Sequence, residues 1–203
     1  MEIVLTSLGR RFNRDWIFRD VNYTFRQRNS YAILGKNGAG KSTLLQVIAG
    51  ALMFNEGTIT VLDKKATIEN DVFFKNISIA APYLELVEEM TAIEFLEFHH
   101  SFKPLMVSQQ EALQIVQLEK ATNKQIRYFS SGMKQRLKLA QAFFSNTPVL
   151  LLDEPTTNLD ADGTALYHSL IANYTRQKLV IISSNDIQEY AFCDEVIAIG
   201  DYK

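Results

Sequence analysis

Two clusters in this chain combine residue types that handle phosphate. Residues 35–43 read GKNGAGKST, with Gly35, Asn37, Gly38, Ala39, Gly40, Lys41, Ser42 and Thr43 in one loop. Glycines lack Cβ atoms, so the backbone can curl and turn its N–H groups inward as a cradle. In such a loop Lys41 reaches terminal phosphates and the Ser42 hydroxyl ligates Mg²⁺. The second cluster is Asp153-Glu154, which ends the apolar run VLLLD. Alone it reads as a helix cap or a surface pair. Beside a phosphate loop, Asp153 would hold the hydration shell of Mg²⁺ and Glu154 would accept a proton from an attacking water. The loop specifies a nucleoside triphosphate without saying what is done with it.

These residues need elements that hold them. YAIL (Tyr31–Leu34) suits a short buried strand, and LLQVIAGAL after the loop suits a helix that ends near Gly50. The helix start near Lys41 adds roughly half a positive charge to the phosphate site. Upstream, residues 1–12 and 16–26 read as strands. VNYTF alternates, with Val21, Tyr23 and Phe25 on one face of a half-solvated antiparallel sheet. Phe12 and Trp16 lie on the approach to the loop, where either could stack on a base or simply pack in the sheet. GTITVLD (Gly57–Asp63) is another alternating strand, Lys64-Lys65 a solvated turn, and ISIAA (Ile77–Ala81) a buried strand ended by Pro82.

From about Leu84 to Asn146 the pattern is helical. Thr91 with Glu94, and Ser108 with Glu111, are spaced as capping boxes. A helix from about Gly132 puts Met133, Leu137, Ala140 and Phe144 on one stripe. The glutamates between Glu85 and Glu97 read as a solvated face, with partner docking as the sharper alternative. His99 and His100 are adjacent and point to different sides of a helix, which does not suit a metal site. Pro148 closes the stretch. VLLLD, a helix over about Asp162–Arg176, LVIIS (Leu179–Ser183), a short helix near Asp186–Ala191 and EVIAI (Glu195–Ile199) then alternate as a parallel sheet requires. The expectation is one α/β domain: a core over about 1–83 and 147–203, with a mostly parallel sheet and an antiparallel β edge, interrupted by a helical subdomain over about 84–146.

Composition narrows the setting. Hydrophobic residues at 47% and charged residues at 22% are those of a soluble globular protein. The formal net charge of −2 argues against a nucleic-acid surface. Cys193 is the single cysteine, which fits a reducing compartment. No apolar run approaches the roughly 18 residues that span a bilayer, and the start MEIVLTSLGRRF lacks the apolar stretch of a signal peptide. A cytosolic domain is expected, with any membrane connection made through a partner.

FSSGMKQR (Phe129–Arg136), placed before VLLLDEPTTNLD (Val149–Asp160), resembles the signature and Walker B blocks of the nucleotide-binding domains of ABC ATPases. With the phosphate loop, a P-loop NTPase core of this type is implied over essentially the whole chain. The resemblance makes Glu154 the catalytic glutamate, makes TNLD through Asp160 the D-loop, and puts Phe12 at the aromatic position that stacks on adenine. It implies ATP with Mg²⁺ as ligands and a head-to-tail dimer, homo- or heterodimeric. In that dimer Ser130, Ser131 and Gly132 cap the γ-phosphate held by the other subunit's loop. It further implies an ATPase that powers a membrane transporter from the inner face of the cell membrane through a separate transmembrane permease. The short prokaryotic ATP-binding subunits, such as those of haem exporters, are similar.

Three departures from the family pattern stand out. Ser131 replaces the first signature glycine, and Met133 its glutamine. No glutamine occurs from Val47 to Ser108, so Pro82 or Tyr83 takes the place of the family glutamine that contacts Mg²⁺ and water. Asn185 stands where the switch histidine is usual. Asparagine donates a neutral hydrogen bond but cannot carry charge or relay a proton. A slow ATPase is therefore expected, with a non-hydrolysing nucleotide-gated regulatory module as the alternative. A soluble ABC ATPase of translation or repair is a third reading, disfavoured by the single domain and the absence of a long insertion.

Overall fold

The computed structural model describes residues 1–64, 66–68 and 70–203. In chain order the elements are β1 (Glu2–Phe12), β2 (Asp15–Arg26), β3 (Ser30–Leu34), α1 (Lys41–Ile48), β4 (Glu56–Asp63), β5 (Ala66–Ile68), α2 (Asn70–Phe73) and β6 (Ile77–Ala80). There follow α3 (Ala92–Phe102), α4 (Gln109–Ile115), α5 (Ser131–Phe144), β7 (Val149–Asp153), α6 (Ala161–Tyr174), β8 (Leu179–Ser183), α7 (Ile187–Tyr190) and β9 (Glu195–Ala198). Of the expected Lys64-Lys65 turn, Lys64 is exposed in a turn and Lys65 lies outside the described residues.

Two sheets form. One is antiparallel in the order β2-β1-β4-β5; the other, in the order β6-β7-β8-β3-β9, has parallel strands throughout. The central strands β7 and β8 are buried along their whole length and apolar up to their last residue, because both faces are covered. The pleat of the sheet still sorts the residues. Tyr31, Ile33, Val149, Leu151, Leu179 and Ile181 enter one core with α1 and the antiparallel sheet. Their alternates Ala32, Leu150, Leu152, Val180 and Ile182 enter a second core with α3, α4, α5 and α6. The helices α3 to α5 thus interrupt the parallel sheet between β6 and β7.

Thr91 caps α3 with both arms of a capping box. At α4 only one arm forms: Ser108 Oγ accepts from Glu111 N at 3.2 Å, and the glutamate does not reach back. Ser108 is exposed, so water can serve its N–H and the return arm has little to gain. His99 and His100 both serve the fold, His99 against Ser145 and Gln141 and His100 as acceptor for Leu105 N.

Candidate functional site

The register of the parallel sheet builds the site. Ser183 at the end of β8 pairs with Ile33 of β3 on one side and Asp153 of β7 on the other. The loop after β3 and the carboxylate that ends β7 therefore flank one serine at the carboxyl edge, where ligands of open α/β sheets bind. Gly40 precedes α1 at φ 107, and the helix has no side-chain cap, so its first N–H groups are free for an anion. A Cβ on Gly40 would meet Ile17 Cγ2 at 2.5 Å, so only glycine lets β2 approach the loop this closely.

A cleft of about 210 Å³ opens here, lined by Asn37, Gly38, Gly40, Lys41, Ser42, Thr43, Glu154 and Ile17. Ala39 is buried beneath the loop, its N–H donating to Lys36 O at 2.9 Å. Lys41 is 5% exposed, and its Nζ donates to Gly35 O at 2.7 Å, so the ammonium rests on the loop's own carbonyl. An arriving phosphate oxygen offers that donor a charged partner instead.

Asp153 is 2% exposed, and among the described residues its Oδ1 has no hydrogen-bond partner; the Ser183 Oγ is likewise buried and unpartnered. Burial pushes the Asp153 carboxyl above the usual carboxylate range, while the Ser42 and Ser183 hydroxyls and the charge of Lys41 hold it down. Neither hydroxyl reaches full hydrogen-bond geometry with Oδ1. A carboxylate oxygen left over beside a serine hydroxyl is an oxygen donor set that suits Mg²⁺. Tyr83, after β6, feels the charge of this carboxylate: burial first, then the Asp153 charge, raises its phenol, and the Gln46 side chain acts the other way.

Glu154 follows at φ 43, in the left-handed region, with its N–H donating to Ser183 O at 2.9 Å. Asn185 is exposed, and its Nδ2 donates to Asn37 Oδ1 at 2.9 Å, which ties the segment after β8 to the phosphate loop.

The remaining sequence-predicted residues do not line this cleft. Ser130 caps α5, accepting from Met133 N at 3.2 Å, and Ser130 and Ser131 are exposed. Gly132 lies over the loop after Glu154, where a Cβ would come within 3.1 Å of Asn158 O. Asp160 caps α6 by accepting from Gly163 N at 2.8 Å, and Arg136 bonds the same Oδ1 at 3.2 Å. Phe12 is 44% exposed, with the Arg10 guanidinium 4.4 Å over its ring. Trp16 packs on Gly9, with Arg11 and Arg19 near its ring.

Sequence reasoning missed the cross-links of α5. Gln135 Nε2 donates to Pro155 O at 2.7 Å, and Lys138 Nζ donates to Ala81 O at 3.2 Å and Pro82 O at 3.0 Å. One helix thus holds both the loop after Glu154 and the segment after β6. It missed Ile17 as well. No spacing in the sequence signals these contacts, since each joins residues distant in the chain.

Known proteins are similar to this chain in sequence and in fold. The family model described as ABC transporter matches residues 18–157. The chain is 33% identical over 211 residues to the ABC transporter ATP-binding protein NatA of Bacillus subtilis (strain 168), across 97% of this chain and 85% of that protein. It is 29% identical over 197 residues to YybJ, an uncharacterized ABC transporter ATP-binding protein of the same organism, across 95% and 89%. The ATP-binding cassette MJ0796, solved as a dimer in a post-hydrolysis state with ADP and Pi, matches with a TM-score of 0.82 at 22% identity, over 98% of this chain and 95% of that one.

Proposed function

The chain belongs to the ABC transporter family and is an ATP-binding, ATP-hydrolysing subunit of such a transporter; we propose that it works as half of a dimer that ATP closes and hydrolysis opens. The observation that carries this reading is the cleft in which Glu154 faces Lys41, Ser42 and the uncapped start of α1.

The loop amides from Asn37 to Thr43 and Lys41 would hold the β- and γ-phosphates. Ser42 and Asp153 would hold Mg²⁺, whose charge would neutralise the phosphoryl oxygens when it is bound. Glu154 would take a proton from the attacking water. Asn185 would turn its amide from Asn37 to the γ-phosphate. Phe12 would stack on adenine by the face that Arg10 leaves open. Ser130, Ser131 and Gly132, exposed or half-buried at the start of α5, would cap the nucleotide of a second subunit, and Asp160 would sit at that interface. Among the described residues no helix is long and apolar enough to cross a membrane. The reading includes a separate permease, with the chain on the cytoplasmic face.

Turnover should be slow, because a neutral asparagine stands at the switch and Tyr83 or Pro82 replaces a glutamine. One variant decides. Glu154→Gln should keep ATP affinity, lower turnover by roughly 10²–10⁴, and give an ATP-dependent dimer on size-exclusion chromatography. Wild-type hydrolysis in that variant would remove Glu154 as the base. No turnover in the unmodified protein, alone or with its permease, would overturn the reading.

A further inference from the structure

Glu189 in α7 is 3% exposed, and among the described residues no salt bridge reaches it. A buried charge without a cation is costly, so its bonding partners matter. Oε1 accepts from Thr156 N at 2.7 Å and from Thr156 Oγ1 at 2.5 Å, which takes both donors of that residue. The helix itself is anchored, since Tyr167 OH donates to Glu189 O at 2.6 Å in the core.

Thr156 belongs to the turn that carries Glu154. The N–H of Thr157 closes on Glu154 O at 3.1 Å. Glu154 occupies a left-handed backbone conformation that a residue with a Cβ holds only when its surroundings impose it. Three points impose it. Ahead of the turn, Ser183 O accepts from Glu154 N; within it, Gln135 of α5 holds Pro155 O; behind it, Glu189 clamps Thr156. The outer two belong to one short stretch, 183–189, and that stretch also carries Asn185, whose amide touches Asn37 of the phosphate loop. A single segment therefore grips the turn of the base at two places and contacts the phosphate site between them.

We propose that Glu189 is a positioning residue for hydrolysis: through Thr156 it fixes the turn of Glu154 and links that turn to the segment that carries Asn185. The proposal rests on the reading of Glu154 as the base. It does not place Glu189 against nucleotide, so its loss should lower turnover and spare affinity.

The test is steady-state ATPase kinetics and ATP titration of the full chain, with a thermal melt to confirm folding. Glu189→Ala should lower kcat roughly 10- to 100-fold, the loss expected from a small misplacement of a reacting group, with KM and ATP affinity within about twofold of the unmodified protein. Glu189→Gln keeps an oxygen for both Thr156 donors and should recover most of the rate. Thr156→Val removes one bond and should lower kcat less than Glu189→Ala; the double variant should be no slower than Glu189→Ala, because both act through one contact. If Glu189→Ala does not fold, Thr156→Val carries the test alone. A folded Glu189→Ala, or a Thr156→Val standing in for it, with unchanged kcat would overturn the proposal, as would loss of affinity in place of rate. Glu154→Gln, run beside them, separates the two readings. Its stalling while Glu189→Ala turns over normally sinks only this inference; its turnover at the unmodified rate sinks the reading beneath.

Discussion

The side-chain amide of Asn185 donates to Oδ1 of Asn37 at 2.9 Å, so two residues 148 positions apart are joined across the mouth of the phosphate cleft. Each is a short neutral side chain, and the pair is exposed. The donor that should serve a γ-phosphate is engaged with the loop that holds the phosphates. On the proposed reading, nucleotide binding would exchange one partner for the other, and a neutral hydrogen bond makes that exchange cheap.

Asn185→His should raise turnover on the order of 10-fold. A chargeable donor strengthens as charge develops on the phosphoryl oxygens, and about 1.4 kcal/mol of extra stabilisation gives that factor. ATPase rates and ATP affinities of the two proteins check it. A fall in turnover at unchanged affinity would show that the pocket is adapted to the Asn37–Asn185 pair.

Lys138→Met should loosen α5 from the segment after β6. The variant loses the donors to Ala81 O and Pro82 O while keeping most of the apolar stem. A loss of about 1–2 kcal/mol is expected for bonds from a charged donor at a partly exposed site, which corresponds to a drop in Tm of roughly 2–8 °C for a chain of this size. ATP affinity should not change, because Lys138 lies outside the cleft. Thermal melts and an ATP titration measure both, and a fall in affinity would contradict the assignment.

His99 should make the protein sensitive to mild acid. Its Nδ1 faces the Gln141 amide at 3.1 Å, and its Nε2 faces Ser145 Oγ at 2.8 Å, whose own proton goes to Gln141 O. Those partners fit the neutral ring with its proton on Nε2; a second proton would face an N–H₂ donor. Burial first, then the charges of Lys103 and His100, push the ring down to about 4. The unfolded chain therefore binds one more proton than the native state between about pH 6.5 and 4, and stability falls as pH drops through that window. The loss should be on the order of 2 kcal/mol once partial solvent contact is allowed for. Denaturant unfolding at pH 7 and pH 4.5 should show it, and His99→Gln should flatten the difference.

The parts of the site that were legible in the sequence are those whose chemistry is local. GKNGAGKST between an apolar strand and a helix, and VLLLD ending in two carboxylates, each carry their context within a few neighbours. The Thr91 box formed as spaced; the Ser108 box formed by half, since an exposed N–H can turn to water. Trp16, an equal candidate with Phe12 for a base, is taken up against Gly9 between two arginines. Contacts that join distant residues could not be read: Ile17 over Gly40, Lys138 on Ala81 and Pro82, Glu189 on Thr156. Their partners are backbone atoms or side chains that the fold alone brings together, and backbone acceptors leave no mark on sequence.

The placement of β3 has a consequence for how the protein is made. Its two neighbours in the parallel sheet are β8 and β9, so Ser30 meets Val180 and Tyr31 meets Glu195. A ribosome has to deliver residues 179–198 before the strand leading into the phosphate loop has anything to pair with. Until then a strand made early waits with open edges, while the hairpin of β1 and β2 can close at once from near neighbours. Competence to bind ATP is therefore gained late in synthesis, and a chain broken off before Leu179 would carry the whole loop and neither of the strands that pair with β3.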